Sequence, residues 1–309
     1  MNIITITEEA VKKLLNYADL IPIISSAFAK FSMGKEGGVV QPVRVMFPAE
    51  KQNGMNYVMP CLYDDIMTTK IVTFYSDNKD MPSHQAYISL FDATNGTMKA
   101  LLAGETITCQ RTAAMSAVAT KHLAPKNPKV LAILGAGAQA RSHFHCLNSI
   151  IPFEETRIWT RTFSKAQALA KELGCRACET GEEAVQNADV IVTVTSSSTP
   201  VLKYEWVKKG AHINAVGACR PNWQEIDPEL MRNAVVYADS LEAIFKESGD
   251  VLLSKCDVYA EIGEVVNGTK EAKTEQTTVF KSLGLAVMDT VTSRLVYNKY
   301  CEQSLNSTA

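Results

Sequence analysis

A buried strand that runs directly into a glycine pattern most constrains how this chain can fold. Residues 130–134 read Val-Leu-Ala-Ile-Leu, an apolar run typical of a strand buried on both faces of a parallel sheet. The next six residues read Gly-Ala-Gly-Ala-Gln-Ala, the G-x-G-x-x-A pattern in which a tight turn leads into a helix. Gly135 would permit the turn, Gly137 would let the backbone approach a pyrophosphate, and Ala140 would pack against the strand. Because the positive end of a helix attracts phosphates, the sequence predicts a dinucleotide site here.

Strands and helices alternate from residue 125 onward, as a doubly wound parallel sheet requires. Pro125 and Pro128 mark the start of this region, and a later helix is predicted to end at Gly249. We therefore predict an α/β fold with a Rossmann-type dinucleotide-binding domain over residues 125–285. Its predicted strands are 130–134, 156–159, 189–195, 212–216, 235–238 and 277–281, and its predicted helices include 163–173, 181–187 and 228–233.

The first 124 residues follow a different pattern, which predicts an α+β domain. Thr7 is a suitable N-cap for a first helix, and a second helix over residues 19–31 would carry Pro22 in its first turn. Short alternating segments follow, with Asn-Gly turns at positions 53 and 95, and then a helical pattern over residues 106–122. A last helix, from Gly284 to about Tyr300, is expected to pack back on this domain, which would then comprise residues 1–124 and 286–309. The predicted strands are 43–47, 55–59, 69–75, 86–92 and 98–102.

Composition excludes several classes of partner. With 309 residues and a net charge of −2, the chain gives no electrostatic reason to expect nucleic acid or an anionic membrane. No apolar run reaches the length of a membrane helix, and the first residues have no signal-peptide pattern. Eight dispersed cysteines in a chain of this size predict reduced thiols and a cytoplasmic protein. No metal is expected, since neither the pair His143 and His145 nor the pair Cys175 and Cys178 has partners at ligand spacing.

The end of the second predicted strand distinguishes between the two nicotinamide dinucleotides. A site for NAD usually has an Asp or Glu there, which binds the ribose 2′-hydroxyl. This chain has Thr160, Arg161 and Thr162 instead. No carboxylate would repel a 2′-phosphate, and Arg161 can pair with one. The pattern favours NADPH, with an arginine that is merely solvated on a loop as the alternative.

Three cations outside the predicted Rossmann domain are candidates for substrate binding. Arg44, Lys70 and Arg111 each lie among apolar or small residues, where a basic side chain usually has an anionic partner. Singly, each also has an ordinary structural explanation; Lys70, for example, could face solvent on its strand. Together, beside a nucleotide site, they fit a substrate that bears a carboxylate. His84 lies in a turn, where it could contact nicotinamide or substrate or serve only the turn.

With these residues in place, the chain resembles the ornithine cyclodeaminase/mu-crystallin family. The similarity spans nearly the whole chain and is weakest over the first 40 and last ten residues. It is carried by TTKIVTFY (68–75), PSHQA (82–86), RTAAMSAVATKHL (111–123), ILGAGAQARSH (133–143), RIWTRT (157–162), ADVIVTVT (188–195), EWVKKGAHINAVGACRP (205–221), KESGDVLLS (246–254) and TTVFKSLGLAV (277–287).

The resemblance implies roles for residues that spacing alone does not assign. It implies a homodimer, formed by the N-terminal sheet domain and the C-terminal helix, and a substrate site lined by Arg44, Lys70 and Arg111. It implies that NADPH is the cofactor, with NADH possible but weaker. The implied cofactor contacts are Ser83, His84, Arg111, Thr112, Gly135, Ala136, Gly137, Ala138, Gln139, Thr160, Arg161, Thr162, Thr195, Val216 and Ser282.

One departure from the family bears on the reaction. The deaminating and alanine-oxidising branches carry an Asp just after the Val-Gly-x turn, where this chain has Cys219. Because a thiol cannot serve as a carboxylate base, the resemblance implies reduction of a preformed cyclic imine carboxylate of the piperideine, pyrroline or thiomorpholine type. Lys70 and Arg111 would be the catalytic residues, with Lys70 or solvent delivering the proton. Two alternatives stay open: binding of an iodothyronine (thyroid hormone) in the same pocket, and an amino-acid or opine dehydrogenase.

Overall fold

The computed structural model describes residues 3–306. The strands, in chain order, are β1 (Ile4–Ile6), β2 (Val39–Val40), β3 (Val45–Ala49), β4 (Gly54–Tyr63), β5 (Ile66–Tyr75), β6 (His84–Asp92), β7 (Met98–Ala103), β8 (Val130–Leu134), β9 (Glu155–Trp159), β10 (Arg176–Ala177), β11 (Val190–Thr193), β12 (His212–Ala215), β13 (Val235–Ala238), β14 (Ala260–Glu261) and β15 (Thr278–Lys281). The α-helices are α1 (Glu8–Leu14), α2 (Tyr17–Ser32), α3 (Glu105–Leu123), α4 (Ala138–Asn148), α5 (Phe163–Leu173), α6 (Gly181–Val185), α7 (Pro228–Asn233), α8 (Leu241–Glu247), α9 (Gly249–Ser254), α10 (Ile262–Val266) and α11 (Ala286–Asn306).

The chain divides into two compact units, and both boundaries fall close to the ends of long helices or within them. One unit runs to Arg111 and resumes at Leu285; the other is Thr112–Gly284. The sequence instead predicted the first boundary at residues 124 and 125. The difference arises because the second half of α3 is bonded into the second unit: Thr120 Oγ1 accepts a hydrogen bond of 2.9 Å from Asn214 Nδ2.

The first unit is built on a mostly antiparallel sheet, which among the described residues has seven strands in the order β1-β7-β6-β5-β4-β2, with β3 also paired to β4. On one face of β5, the alternate side chains Ile66, Thr68 and Lys70 are buried. Helix α11 packs on this face, where the hydroxyl oxygens of Thr68 and Thr290 lie 2.7 Å apart. The predicted α+β architecture is confirmed, and α11 brings buried residues to the inner side of the sheet.

The opposite face of the same sheet is apolar and exposed. Val45, Val58, Ile71 and Tyr87 are paired in register across β3, β4, β5 and β6, so they lie side by side. Val45, Ile71 and Tyr87 are 59%, 50% and 57% exposed. A contiguous apolar row of this kind is unusual on a surface that contacts only water.

The second unit has the predicted doubly wound parallel sheet. Within residues 112–284, all of which are described, eight strands follow the order β10-β9-β8-β11-β12-β15-β13-β14, and every pairing is parallel. The chain order reverses between β8 and β11, the place where open α/β sheets bind ligands at the carboxyl ends of their strands. Strand β8 is the third of the eight strands, is paired on both sides and is almost wholly buried, as its apolar run predicted. The glycine pattern therefore lies at the switch point of a Rossmann-type sheet.

Two local predictions were wrong for identifiable reasons. Pro22 lies inside α2 rather than in its first turn, because Asn16 caps the helix at Asp19 N and α2 begins at Tyr17. Gly249 does not end a helix but begins α9, whose N-cap is Ser248. A glycine is needed there because a Cβ would lie 1.8 Å from the carbonyl oxygen of Trp223. Within residues 3–306, no helix combines the length and apolarity that crossing a membrane requires.

Candidate active site

A buried carboxylate holds two of the three candidate cations. Lys70 Nζ lies 2.7 Å from Asp289 Oδ2, and Arg111 Nε donates to Asp289 Oδ1 over 2.9 Å. Lys70 and Arg111 are only 1% and 4% exposed, and Asp289 is fully buried. Lys70 therefore occupies an inward position of β5, which excludes the interpretation that it is a solvent-facing strand residue.

Asp289 is a residue that the sequence analysis missed. It is the one charged residue in the stretch 286–293, which is buried and described throughout. The sequence did indicate that a buried carboxylate exists, because two cations in apolar segments require an anionic partner. The sequence could not show that α11, more than 170 residues after Arg111, would supply it.

The cluster carries more positive than negative charge. Burial, Arg111 and Arg44 favour the neutral amine of Lys70 and Asp289 opposes them, so that the pKa of Lys70 falls to about 7. Arg44 is half-buried just before β3 and is close enough to act on Lys70. With three cations against one carboxylate, the cluster can accept a further anion such as a substrate carboxylate.

Ser83 and His84 lie on the first unit but apart from the cation cluster. His84 is exposed at the start of β6, its ring centroid lies 4.4 Å from that of Phe74, and Ser83 Oγ lies 3.2 Å from His84 Nδ1. Because Phe74 pairs with His84 and is four residues from Lys70 on β5, His84 is on the same sheet face, about 13 Å along the strand. Thr112, also predicted to meet the cofactor, is buried on α3.

The glycine turn after β8 has the geometry that a pyrophosphate site needs. Gly135 has φ of +135°, and a Cβ there would lie 2.8 Å from the carbonyl oxygen of Val194, so no larger residue fits. Gly137 is the exposed N-cap of α4, and a Cβ on it would meet no atom within 4 Å. The first turn of α4 has no acidic residue, and Ala140 is fully buried. The exposed backbone N–H groups at this helix end can therefore meet an anion.

The end of β9 suits a phosphorylated ribose. Thr160, Arg161 and Thr162 connect β9 to α5, and the side chain of Arg161 is exposed. No carboxylate lies among these three residues or on the first turn of α5. The group that would select against a 2′-phosphate is thus absent from the described loop, and a cation stands in its place.

A second buried carboxylate, also missed by sequence reasoning, shapes the carboxyl edge of the parallel sheet. Glu225 accepts hydrogen bonds from Thr195 N at 2.5 Å, Gly217 N at 2.7 Å and Thr193 Oγ1 at 3.0 Å. It thereby ties together the segments that follow β11 and β12, which contain the predicted cofactor contacts Thr195 and Val216. Burial raises the pKa of Glu225, while Lys281 and the bonds from Thr195 oppose that shift.

The network continues to the end of β15. Asp250 Oδ1 accepts from Glu225 N at 2.8 Å, and its other oxygen lies 2.9 Å from Lys281 Nζ, with both side chains fully buried. Lys281 precedes the predicted contact Ser282, and Asp239 Oδ2 accepts from the backbone of Leu283 at 2.7 Å. Charged residues thus hold the ends of three adjacent strands in fixed positions.

Of the histidines and cysteines considered as metal ligands, His143 has hydrogen-bond partners inside the protein. His143 is fully buried, with Nε2 2.9 Å from Ser116 Oγ and Nδ1 2.8 Å from the carbonyl oxygen of Gln139. Cys175 and Cys178 are unpaired thiols. Among residues 3–306, no group of three or more His, Cys, Asp or Glu side chains is placed to hold a metal ion.

Comparison with known proteins assigns the family. The sequence pattern of the ornithine cyclodeaminase/mu-crystallin family matches residues 2–304. The chain belongs to this family. Within the ornithine cyclodeaminase/mu-crystallin family, it is similar to the ketimine reductase mu-crystallin of Mus musculus, with 52% identity over 299 residues that cover 95% of this chain and 96% of the mouse protein.

Two solved structures share the whole fold. The Δ1-pyrroline-2-carboxylate reductase of Thermococcus litoralis, in complex with NADH and L-proline, has a TM-score of 0.92 and 32% identity. An archaeal alanine dehydrogenase dimer with bound NAD has a TM-score of 0.91 and 31% identity. Each comparison covers 98% of both chains. The Rossmann-type fold predicted from the sequence is thereby confirmed.

Proposed function

We propose that this chain is an NADPH-dependent ketimine reductase, an oxidoreductase that reduces cyclic imine carboxylates to saturated cyclic amino acids. The observation that carries the proposal is the buried cluster of Lys70, Arg111 and Asp289, whose excess positive charge suits a carboxylate, in a chain that also has a Rossmann-type glycine turn. The relatives support it, since the mouse protein is a ketimine reductase and the Thermococcus enzyme reduces a cyclic imine carboxylate.

The substrate carboxylate would bind to the three cations. Arg111 and Arg44 offer guanidinium groups for charge-assisted hydrogen bonds, and Lys70 lies beside them on β5. Holding the carboxylate places the attached imine in a defined position, and such positioning would supply much of the acceleration. The resulting orientation would select rings in which the imine carbon bears the carboxylate.

The residues at the switch point fit NADPH. When bound, this cofactor would supply the hydride for the imine carbon. Gly137 and the N-terminus of α4 would hold the pyrophosphate, and Arg161 would pair with the 2′-phosphate, so that NADH would bind more weakly. The other proposed contacts are Ser83, His84, Arg111, Thr112, Gly135, Ala136, Ala138, Gln139, Thr160, Thr162, Thr195, Val216 and Ser282.

Lys70 is the proposed proton donor. With a pKa of about 7, its ammonium can lose a proton near neutral pH, which suits general acid catalysis. Protonation of the imine nitrogen makes the adjacent carbon more electrophilic. Cys219, in the position of the family's Asp, supplies no carboxylate to activate an amine, which argues against deamination of ornithine.

We further propose a homodimer in the cytoplasm. The exposed row of Val45, Ile71 and Tyr87 would be covered by a second copy of the sheet, and the archaeal relative was solved as a dimer. All eight cysteines lie within the described residues and are unpaired, as expected in a reducing compartment.

The test is NADPH oxidation with pyrroline-, piperideine- and thiomorpholine-type ring carboxylates, with ornithine as a deamination control. We expect turnover of one or more imines and none of ornithine, and at least a hundredfold loss of kcat/KM in Lys70→Met and Arg111→Ala. Near-normal kcat/KM in both variants would remove these residues from the mechanism. Tight iodothyronine binding with negligible imine turnover would instead favour hormone binding, and NADP⁺-dependent oxidation of a linear amine would favour a dehydrogenase.

A further inference from the structure

We propose that Asp289 is a positioning residue that fixes the places of Lys70 and Arg111 and keeps Lys70 in its protonated, proton-donating form. This inference rests on the proposed ketimine reduction and adds a group that the reaction needs but that does not itself contact substrate. Its basis is geometric: each carboxylate oxygen meets a different cation, Oδ2 at Lys70 Nζ and Oδ1 at Arg111 Nε.

A purely structural role does not account for this arrangement. Buried ion pairs contribute little to stability, and apolar residues of similar volume often replace them without loss. The inward side chains beside Lys70, Ile88 and Met59 on the paired strands, are apolar and buried. An apolar residue would pack equally well at position 70, so a buried lysine and its carboxylate indicate a chemical requirement.

The groups around Lys70 shift its pKa in opposite directions. Arg111 from α3 and Arg44 from the segment before β3 favour the neutral amine, as burial does, whereas Asp289 from α11 favours the ammonium. The thiols of Cys109 on α3 and Cys61 on β4 are neutral, because burial raises the pKa of each to about 11. Loss of the charge on Asp289 would therefore lower the pKa of Lys70 further.

The step that Asp289 supports is a single proton transfer. An Nζ–H bond of Lys70 breaks, an N–H bond forms at the imine nitrogen, and the electron pair stays on Lys70, which becomes a neutral amine. Water returns a proton to Lys70 after the product leaves. The ammonium must be present when the substrate binds, so the rate depends on the carboxylate that stabilises it.

The deciding experiment is the pH profile of kcat/KM for Asp289→Asn between pH 5.5 and 9. We expect the basic limb to move down by about one pH unit, so that activity falls about ninefold at pH 8 but less than twofold at pH 5.5. Thr290→Val is the matched control, because it alters the next buried side chain of α11 without changing charge, and its limb should stay in place. An unmoved limb in Asp289→Asn would overturn the proposal.

Two further measurements keep the proposal testable. If Asp289→Asn does not fold, Asp289→Glu serves instead, because it retains the charge but displaces it. We expect the basic limb of its pH profile to stay in place and its kcat to be at least tenfold lower. An unchanged kcat would overturn the positioning role. Calorimetric binding of pyrrole-2-carboxylate against pH does not require turnover. If the wild type reduces no imine but the pH dependence of binding shifts in Asp289→Asn, the proposed function fails, and only the control of Lys70 protonation by Asp289 stands.

Discussion

Two fully buried histidines should make the parallel-sheet unit sensitive to mild acid. Burial lowers the pKa of His143 to about 4 and that of His212 to about 3. Both rings are held as neutral groups: His143 lies between Ser116 and the Gln139 carbonyl, and His212 Nδ1 is 2.9 Å from Thr278 Oγ1. Protonation inside the folded unit would place a charge where hydrogen bonds to Gln139 and Asn214 compensate only in part for its lost hydration.

The sign and size of the effect follow from proton linkage. The ordinary pKa of histidine in an unfolded chain is about 6.5, so below that value the unfolded state binds more protons than the folded state. The stability that the two neutral histidines contribute is fully present above pH 6.5. It is lost as the pH falls toward their pKa values in the folded state. At pH 5, each of the two histidines lowers the free energy of unfolding by about 2 kcal/mol, and together by about 4 kcal/mol.

Urea unfolding followed by tryptophan fluorescence measures this directly, because Trp159, Trp206 and Trp223 all lie in the unit Thr112–Gly284. Between pH 7 and pH 5, we expect His143→Gln to lose about 2 kcal/mol less of its free energy of unfolding than the wild type. The control is His145→Gln, on the exposed side of the same helix, which should lose as much as the wild type. Equal losses in His143→Gln and the wild type would refute the reasoning.

Three predictions concern cofactor binding. Gly137→Asp should leave the melting temperature unchanged or higher, because Asp is a good N-cap, yet weaken NADPH binding at least a hundredfold in calorimetric titration. Gly137→Ser, which adds no charge, should lose much less NADPH affinity. Equal losses of affinity in the two variants would contradict an anion site. Arg161→Ala should raise the KM for NADPH at least tenfold and leave that for NADH unchanged, whereas a parallel rise in both would exclude a 2′-phosphate contact. Glu225→Gln should lower the free energy of unfolding by about 2 kcal/mol and raise the KM for NADPH, because the amide nitrogen that replaces one carboxylate oxygen cannot accept the hydrogen bonds made to that oxygen. An unaltered KM would separate Glu225 from the cofactor loops.

Much of the parallel sheet could be predicted because its signals are local. Strand β8 and helix α5 have the predicted bounds, since a five-residue apolar run and an amphipathic 11-residue segment each specify their own structure. The prediction failed at Gly249 for the opposite reason. That glycine is required by a carbonyl oxygen of Trp223, 26 positions earlier, which no local pattern reveals.

The sequence by itself determined the alternation of strands and helices, the glycine turn and its order relative to β8, and the presence of cations in apolar segments. These depend on side-chain periodicity and backbone freedom, which act over a few residues. Only the tertiary structure decided that Asp289 meets Lys70 and Arg111, and that Glu225 joins the ends of β11 and β12. The physical reason is that a buried charge needs a partner but does not specify where in the chain the partner lies, and folding alone brings the two together.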